Sequence, residues 1–173
     1  MVNDTDRLRL IRINKKIRYM ISFMCAGIPS LNATVKILNE FGVKKEEVET
    51  FRYRGNGWPG LTTAITKSGV KHQMEYSRSW GEILGKQLQF RCKICPDGIG
   101  EFADVVCGDA WYLKGNQPDF SEREGRSIII TRTNKGNKLI SECIDYEYLK
   151  LENFNIGDLK YIQPFHKYRK TSI

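Results

Sequence analysis

The chain has 173 residues, of which 40% are hydrophobic and 28% charged, enough for a sizeable core and unlike a disordered segment. No apolar run is long enough to span a bilayer, and the charged start around Asp4, Asp6, Arg7 and Arg9 has no apolar stretch behind it, so no membrane span or secretory signal is expected and the location expected is cytoplasmic. The net charge of +8 permits a nucleic-acid partner, but the basic residues are interleaved with acids, as in Lys44-Lys45-Glu46-Glu47 and Ser121-Glu122-Arg123-Glu124, which read as solvated faces and argue against a nucleic-acid partner.

In chain order, residues 1–18 are polar and basic and read as the remnant of an upstream segment, a helix tail and a connecting loop. Tyr19 to Ile28 is apolar and reads as a buried strand. Pro29 ends it, Ser30 caps a helix carrying Leu31, Val35, Leu38 and Phe41 at helical spacing, and Gly42 stops that helix. Cys25 falls at the turn between strand and helix. Val48 to Arg54 alternates as a half-buried strand and runs into Gly55-Asn56-Gly57-Trp58-Pro59-Gly60. Leu61 to Thr66 and Lys71 to Tyr76 form a predicted hairpin around Lys67 to Val70. Ser79 to Phe90 is expected to be a helix that delivers the chain to Cys92.

Phe102 to Cys107 is an expected buried strand, followed by Gly108-Asp109-Ala110-Trp111 and a loop from Lys114 to Arg126. Ser127 to Thr133 is β-branched and continuous, the pattern of a central strand, after which Asn134 caps a helix through Leu139, Ile140 and Cys143. A basic, frayed tail is expected at 166–173. The expected fold class is α/β, with α+β as its alternative: a mixed sheet with flanking helices and a cysteine- and glycine-rich cofactor loop. Residues 19–165 read as one domain.

Five cysteines, an odd set without a secretion signal, argue for metal or redox chemistry over disulfides. Cys92-x-x-Cys95 puts two thiolates within reach of one metal or cluster, and Pro96 follows as in ferredoxin-type runs. The spacing alone leaves cluster, zinc, dithiol and purely structural roles open. A thioredoxin-like role is disfavoured because the pair follows a predicted helix and precedes a Gly-rich loop. Cys25, at a helix start, and Cys107, at a strand end, are further candidate ligands, while Cys143 reads as packing. His72 and His166 have no paired ligand spacing. Arg52, Arg54, Gly55, Gly57 and Trp58 form a loop suited to an anionic planar cofactor: glycine lets phosphate approach the backbone, arginine pairs with it, and an indole covers a ring. A plain Gly-rich turn is the alternative. Asp97, Asp104 and Asp109 are candidates for flavin hydroxyls, for orienting backbone around a cluster, or for capping turns. Nothing beside them supplies a hydrolytic nucleophile.

Taken together, Cys25-Ala26-Gly27-Ile28-Pro29-Ser30, Phe51 to Gly60, Gln89-Phe90-Arg91-Cys92-Lys93-Ile94-Cys95-Pro96-Asp97, Ala103-Asp104-Val105, Gly108-Asp109 and Ser127 to Thr133 resemble the C-terminal domain of the coenzyme F420 hydrogenase/dehydrogenase beta subunit family. The resemblance implies an iron–sulfur flavoprotein oxidoreductase with a [4Fe–4S] cluster and FAD, passing hydride to coenzyme F420 or another electron carrier. It implies Cys25, Cys92 and Cys95 as cluster ligands, with Cys107 as a substitute for a further family cysteine that has no counterpart here. Arg52, Arg54, Gly55, Gly57, Trp58 and Asp109 are the implied cofactor contacts. The chain looks like an N-terminally truncated member, so the expected partners are the upstream half of the same subunit or other redox subunits. A zinc-stabilised binding or structural module with a basic surface is the alternative.

Overall fold

The structure, a computed structural model, describes residues 16–171, so most of the expected upstream remnant lies outside the described residues. Two units result. One comprises the segment ending at Met24, Ile99–Gly108 and Ile128–Phe154; the other comprises Cys25–Gly98, Asp109–Ser127 and the segment from Asn155. The α/β class is as expected.

In the first unit, β1 (Ile21–Phe23), β5 (Val105–Asp109) and β8 (Ser127–Thr131) form a sheet in the order β1-β5-β8, with β1 and β5 parallel. Burial concentrates on β5, where Val105 and Val106 are closed off from solvent. Two expectations fail here. The central strand is β5, whereas β8 borders the sheet among the described residues. The apolar run at Tyr19 to Ile28 yields only a three-residue strand, and Ile21 and Phe23 are 64% and 67% exposed. Local hydrophobicity reports a preference for burial, whereas strand order decides which strand is covered on both sides. Helix α3 (Asn134–Asp145) is capped by Thr133, one residue before the expected Asn134: the Thr133 hydroxyl accepts from the Gly136 N–H (3.1 Å).

Asp104 ties this unit together. It is 2% exposed, yet its carboxylate accepts from the Met20 N–H (2.8 Å) and the Thr133 hydroxyl (2.6 Å) and pairs with Lys135 (3.0 Å). Its own backbone donates to Met20 O and accepts from Arg132 N–H. Burial pushes the carboxyl pKa up, but the bonds from Thr133 and Met20 and the Lys135 ammonium outweigh it and hold the group below its ordinary value. This carboxylate is consumed internally, so Asp104 is not a free cofactor contact. Gly136 sits against the Asp104 carbonyl, where a Cβ would overlap it.

The second unit opens with α1 (Leu31–Glu40), whose start is set by Ser30 accepting from the Ala33 N–H (3.3 Å). Strands β2 (Val48–Arg52), β3 (Thr62–Thr66) and β4 (Lys71–Met74) form an antiparallel sheet, with the expected β3–β4 hairpin. Its core is Ala33, Ile37, Met74, Ile83 and Leu84, with Phe41, Phe51 and Trp80 packed against it. Each fully buried aliphatic side chain there contributes about 1.5–3 kcal/mol.

The helix expected over Ser79 to Phe90 is instead a π-helical segment, Ser77–Leu84, and a separate short helix α2 (Phe90–Lys93). Tertiary backbone bonds interrupt it: Ser30 N–H donates to Gln87 O (2.7 Å) and Gln89 N–H to Ile28 O (2.9 Å), pulling residues 87–89 alongside residues 28–30. The start of the expected loop from Lys114 to Arg126 belongs to a second hairpin, β6 (Tyr112–Lys114) with β7 (Gln117–Asp119), missed because these strands are short and β7 holds a proline. Near the C-terminus, α4 (Leu159–Ile162) packs on β6 and β7 with Ile162 buried, and α5 (Pro164–Thr171) follows. His166 is buried within α5, where a frayed tail was expected.

Asp104→Asn keeps the side-chain shape and removes its charge, with an expected loss of about 1–3 kcal/mol measured as a lower urea midpoint. Because the folded pKa is depressed, that contribution is complete above the unfolded carboxyl value near pH 4 and is lost as pH falls toward the folded value. The wild-type advantage should therefore shrink below about pH 4. An advantage unchanged into stronger acid would show that the charge is not what holds the segments.

Candidate functional site

Two clusters of chemistry-bearing residues lie in the second unit. The first is built on the strip of backbone bonds that fixes residues 25–30 beside 87–98: Cys25 N–H donates to Gly98 O (2.8 Å), and Pro29 bridges to Leu88. Cys92 lies in α2, and its sulfur accepts from the Ile28 N–H (3.3 Å). Cys95 follows α2, and its thiol donates to Asp97 O (3.4 Å). The strip thus carries Cys25 and Cys92 on bonded segments, with Cys95 one turn further on. All three are unoxidised and half-buried. As a fit to a metal group, the donor type is right and one sulfur already receives a backbone N–H. Among the described residues, however, no three His, Cys, Asp or Glu side chains stand close enough to hold a metal ion. Cys107 lies in β5, paired in register with Phe23, and Cys143 lies in α3.

The second cluster centres on Asp109, at the end of β5. Its carboxylate accepts from Arg54 Nη1 (2.7 Å) and Nη2 (3.4 Å) and from Trp58 Nε1 (3.0 Å), and its backbone carbonyl accepts from Gln163 Nε2 (2.9 Å). The Arg54 guanidinium lies 5.5 Å from the Tyr76 ring and 5.3 Å from that of Trp111. Trp58 stacks on Trp111 with centroids 4.4 Å apart, and Phe120 meets Trp111 edge-on at 4.9 Å. Burial pushes the Tyr76 phenol above its ordinary pKa; Arg54 pulls it down and Asp109 pushes it up.

The loop between β2 and β3 closes on itself: Gly55 bridges Gly60, and Arg54 Nε donates to Pro59 O (3.3 Å). Glu122 reaches it from 64 residues away, accepting from the Trp58 N–H through Oε1 and from the Gly60 N–H through Oε2 (3.1 Å). Gly57, at φ 141°, lies where a Cβ would overlap the Glu122 carboxylate. Arg123 N–H returns a bond to Trp58 O (3.0 Å).

Of the residues singled out in the sequence, Arg54, Trp58 and Asp109 are brought into one bonded group, and Gly55 and Gly57 shape the loop beside it. Arg52 faces the Asn56 side-chain amide, whose oxygen accepts from its guanidinium (3.0 and 3.1 Å) when the amide is turned to face it, and Arg52 Nε is buried with no partner among the described residues. Tyr76, Trp111, Phe120 and Gln163 were not singled out for the site. Aromatic residues after Gly108-Asp109 were the available signal. Glu122 sat in a charge run read as solvated; its segment is exposed, yet its carboxylate is bound to the loop amides.

Over residues 5–156 the chain matches the family model that describes the C terminus of the coenzyme F420 hydrogenase/dehydrogenase beta subunit. Among solved structures it is similar to a chain of the F420-reducing [NiFe] hydrogenase complex from Methanosarcina barkeri, in a xenon-derivatized form, at 18% identity and a TM-score of 0.51. That match covers 88% of this chain and 47% of the other, so the chain spans about half the length of that relative, and the likeness is one of fold. No curated protein matches it. No helix among the described residues is long and apolar enough to cross a membrane.

Asp109→Asn leaves the Arg54 charge uncompensated against Tyr76. The Tyr76 titration midpoint, followed by NMR of labelled tyrosine, is expected to fall below its wild-type value, with about 1 kcal/mol of stability lost after allowance for solvent screening. An unmoved midpoint would show that Asp109 does not act on the phenol.

Proposed function

The chain belongs to the coenzyme F420 hydrogenase/dehydrogenase beta subunit family, matching its C-terminal model, and from that membership we propose that it is the cofactor-holding part of an iron–sulfur flavoprotein oxidoreductase. The observation that carries the proposal is the Cys92-x-x-Cys95 turn docked against the Cys25 segment, with a backbone N–H aimed at the Cys92 sulfur. Cys25, Cys92 and Cys95 are the proposed ligands of a [4Fe–4S] cluster. Their arrangement does not close a site, so the proposed set is completed from the upstream half of the same subunit or another redox subunit.

FAD is the proposed second cofactor, held at the loop from Arg52 to Gly60. Arg54, Gly55, Gly57, Trp58 and Asp109 support this: the glycines keep the backbone open, and the pair of Asp109 with Arg54 sets the position of the indole. When bound, a cluster supplies single-electron transfer and a flavin supplies hydride transfer, here toward coenzyme F420 or a similar carrier. The chain's own residues orient and shield. Ile28 N–H donates to the Cys92 sulfur, and the Tyr76 and Trp111 rings lie against the Arg54 guanidinium.

Anaerobic purification with iron, acid-labile sulfide, zinc and flavin analysis tests this, on the chain alone and coexpressed with the upstream half. Cys92→Ser and Cys95→Ser are expected to abolish iron content and Cys143→Ser to retain it. Stoichiometric zinc in a colourless protein, or equal iron loss in all three variants, would overturn the assignment.

A further inference from the structure

We propose that the Trp58 and Gly60 amides form a binding site for a phosphate or pyrophosphate group, and that the Glu122 carboxylate is an internal anion filling that site until such a ligand displaces it. The proposal rests on the reading of the Arg52 to Gly60 loop as a nucleotide-binding loop and adds the mechanism by which that loop is opened.

Both Glu122 oxygens are engaged, one by each amide, so the loop presents two convergent N–H donors to an anion. Carboxylate and phosphate oxygens accept such bonds alike. The peptide units are open at this point because residue 57 is glycine: any larger residue would place its Cβ in the volume the carboxylate occupies. Glu122 itself forms no ion pair among the described residues, so its charge is held by backbone amides. It comes from an exposed segment, residues 121–126, which can release it to solvent without uncovering a core. Arg123, the next residue, is anchored separately through its N–H to Trp58 O and its ion pair with Asp119, so the Glu122 side chain can leave while the segment stays attached.

An internal competitor of this kind acts at an effective concentration on the order of millimolar. An external anion binds in proportion to the fraction of molecules in which Glu122 has left. Removing the carboxylate therefore raises apparent affinity, the reverse of what the loss of a ligand-contacting residue does.

The test is calorimetric titration of inorganic pyrophosphate, and separately of FAD, into the full chain as wild type, Glu122→Ala and Glu122→Gln. Glu122→Ala is expected to bind pyrophosphate about tenfold or more tightly than wild type. Glu122→Gln, which keeps one acceptor oxygen and loses the charge, should shift in the same direction and carries the test if the alanine variant does not fold. Adding Gly57→Ala to either variant should cancel the gain. Equal pyrophosphate affinity in wild type and both variants, or no pyrophosphate binding to any folded form, overturns the proposal. The two readings separate cleanly: tighter pyrophosphate binding without FAD binding keeps this site and removes the flavin, whereas FAD binding that ignores Glu122, without pyrophosphate binding, removes this site and keeps the flavin.

Discussion

The Asp109 carboxylate is the constraint on which the second unit's candidate site depends. It gathers a guanidinium from just past β2, an indole from further along the same loop and, through its backbone carbonyl, an amide from just before α5. These groups are distant in sequence, and none of their local patterns would bring them together. Arginine is required rather than lysine at position 54. A planar guanidinium can meet a carboxylate edge-on while its faces lie near Tyr76 and Trp111, which a tetrahedral ammonium cannot do. With Arg54 held, Trp58 is held too, since its Nε1 shares an Asp109 oxygen with the guanidinium and its face is stacked on Trp111.

Parts of this were legible in the sequence and parts were not, and the boundary follows interaction range. Ser30 and the β3–β4 hairpin rest on contacts within a few residues, and both were readable. The interrupted helix before Cys92 was not, because residues 87–89 give up helical bonding to pair with residues 28–30. The exposure of Ile21 and Phe23 was not, because apolarity in a strand says nothing about whether another layer covers it. Arg54, Trp58 and Asp109 could be picked out by residue type. Glu122 could not, since a glutamate in a run of charges looks the same whether it meets water or two amides.

The interrupted helix also explains how Cys25 and the cysteine pair come to share one region. A Cys-x-x-Cys turn places two sulfurs by local geometry alone, whereas a third donor has to be brought by long-range pairing. The strip running from Ser30–Gln87 through Pro29–Leu88 and Ile28–Gln89 to Cys25–Gly98 supplies that pairing. In the same strip the Ile28 carbonyl accepts from the Gln89 N–H and the Ile28 N–H donates to the Cys92 sulfur. Continuing the helix through residues 85–89 would keep more helical bonds and would lose the alignment.

Both clusters are internally partnered to different degrees, and this sets how each could take up a ligand. At the thiols the sulfurs hold only weak bonds, a 3.3 Å acceptance and a 3.4 Å donation, so a metal group replaces little. At the loop, each strong donor already faces a carboxylate: Arg54 faces Asp109, and the Trp58 and Gly60 amides face Glu122. Uptake of an anion there, as proposed, would be an exchange rather than an addition, and an exchange discriminates. A ligand with a single weak acceptor gains nothing over Glu122, while one that spans both amides and also stacks on the neighbouring aromatic rings gains on each count. On the proposed reading, the contacts that hold the loop would therefore also favour a ligand carrying both an anionic group and a planar ring.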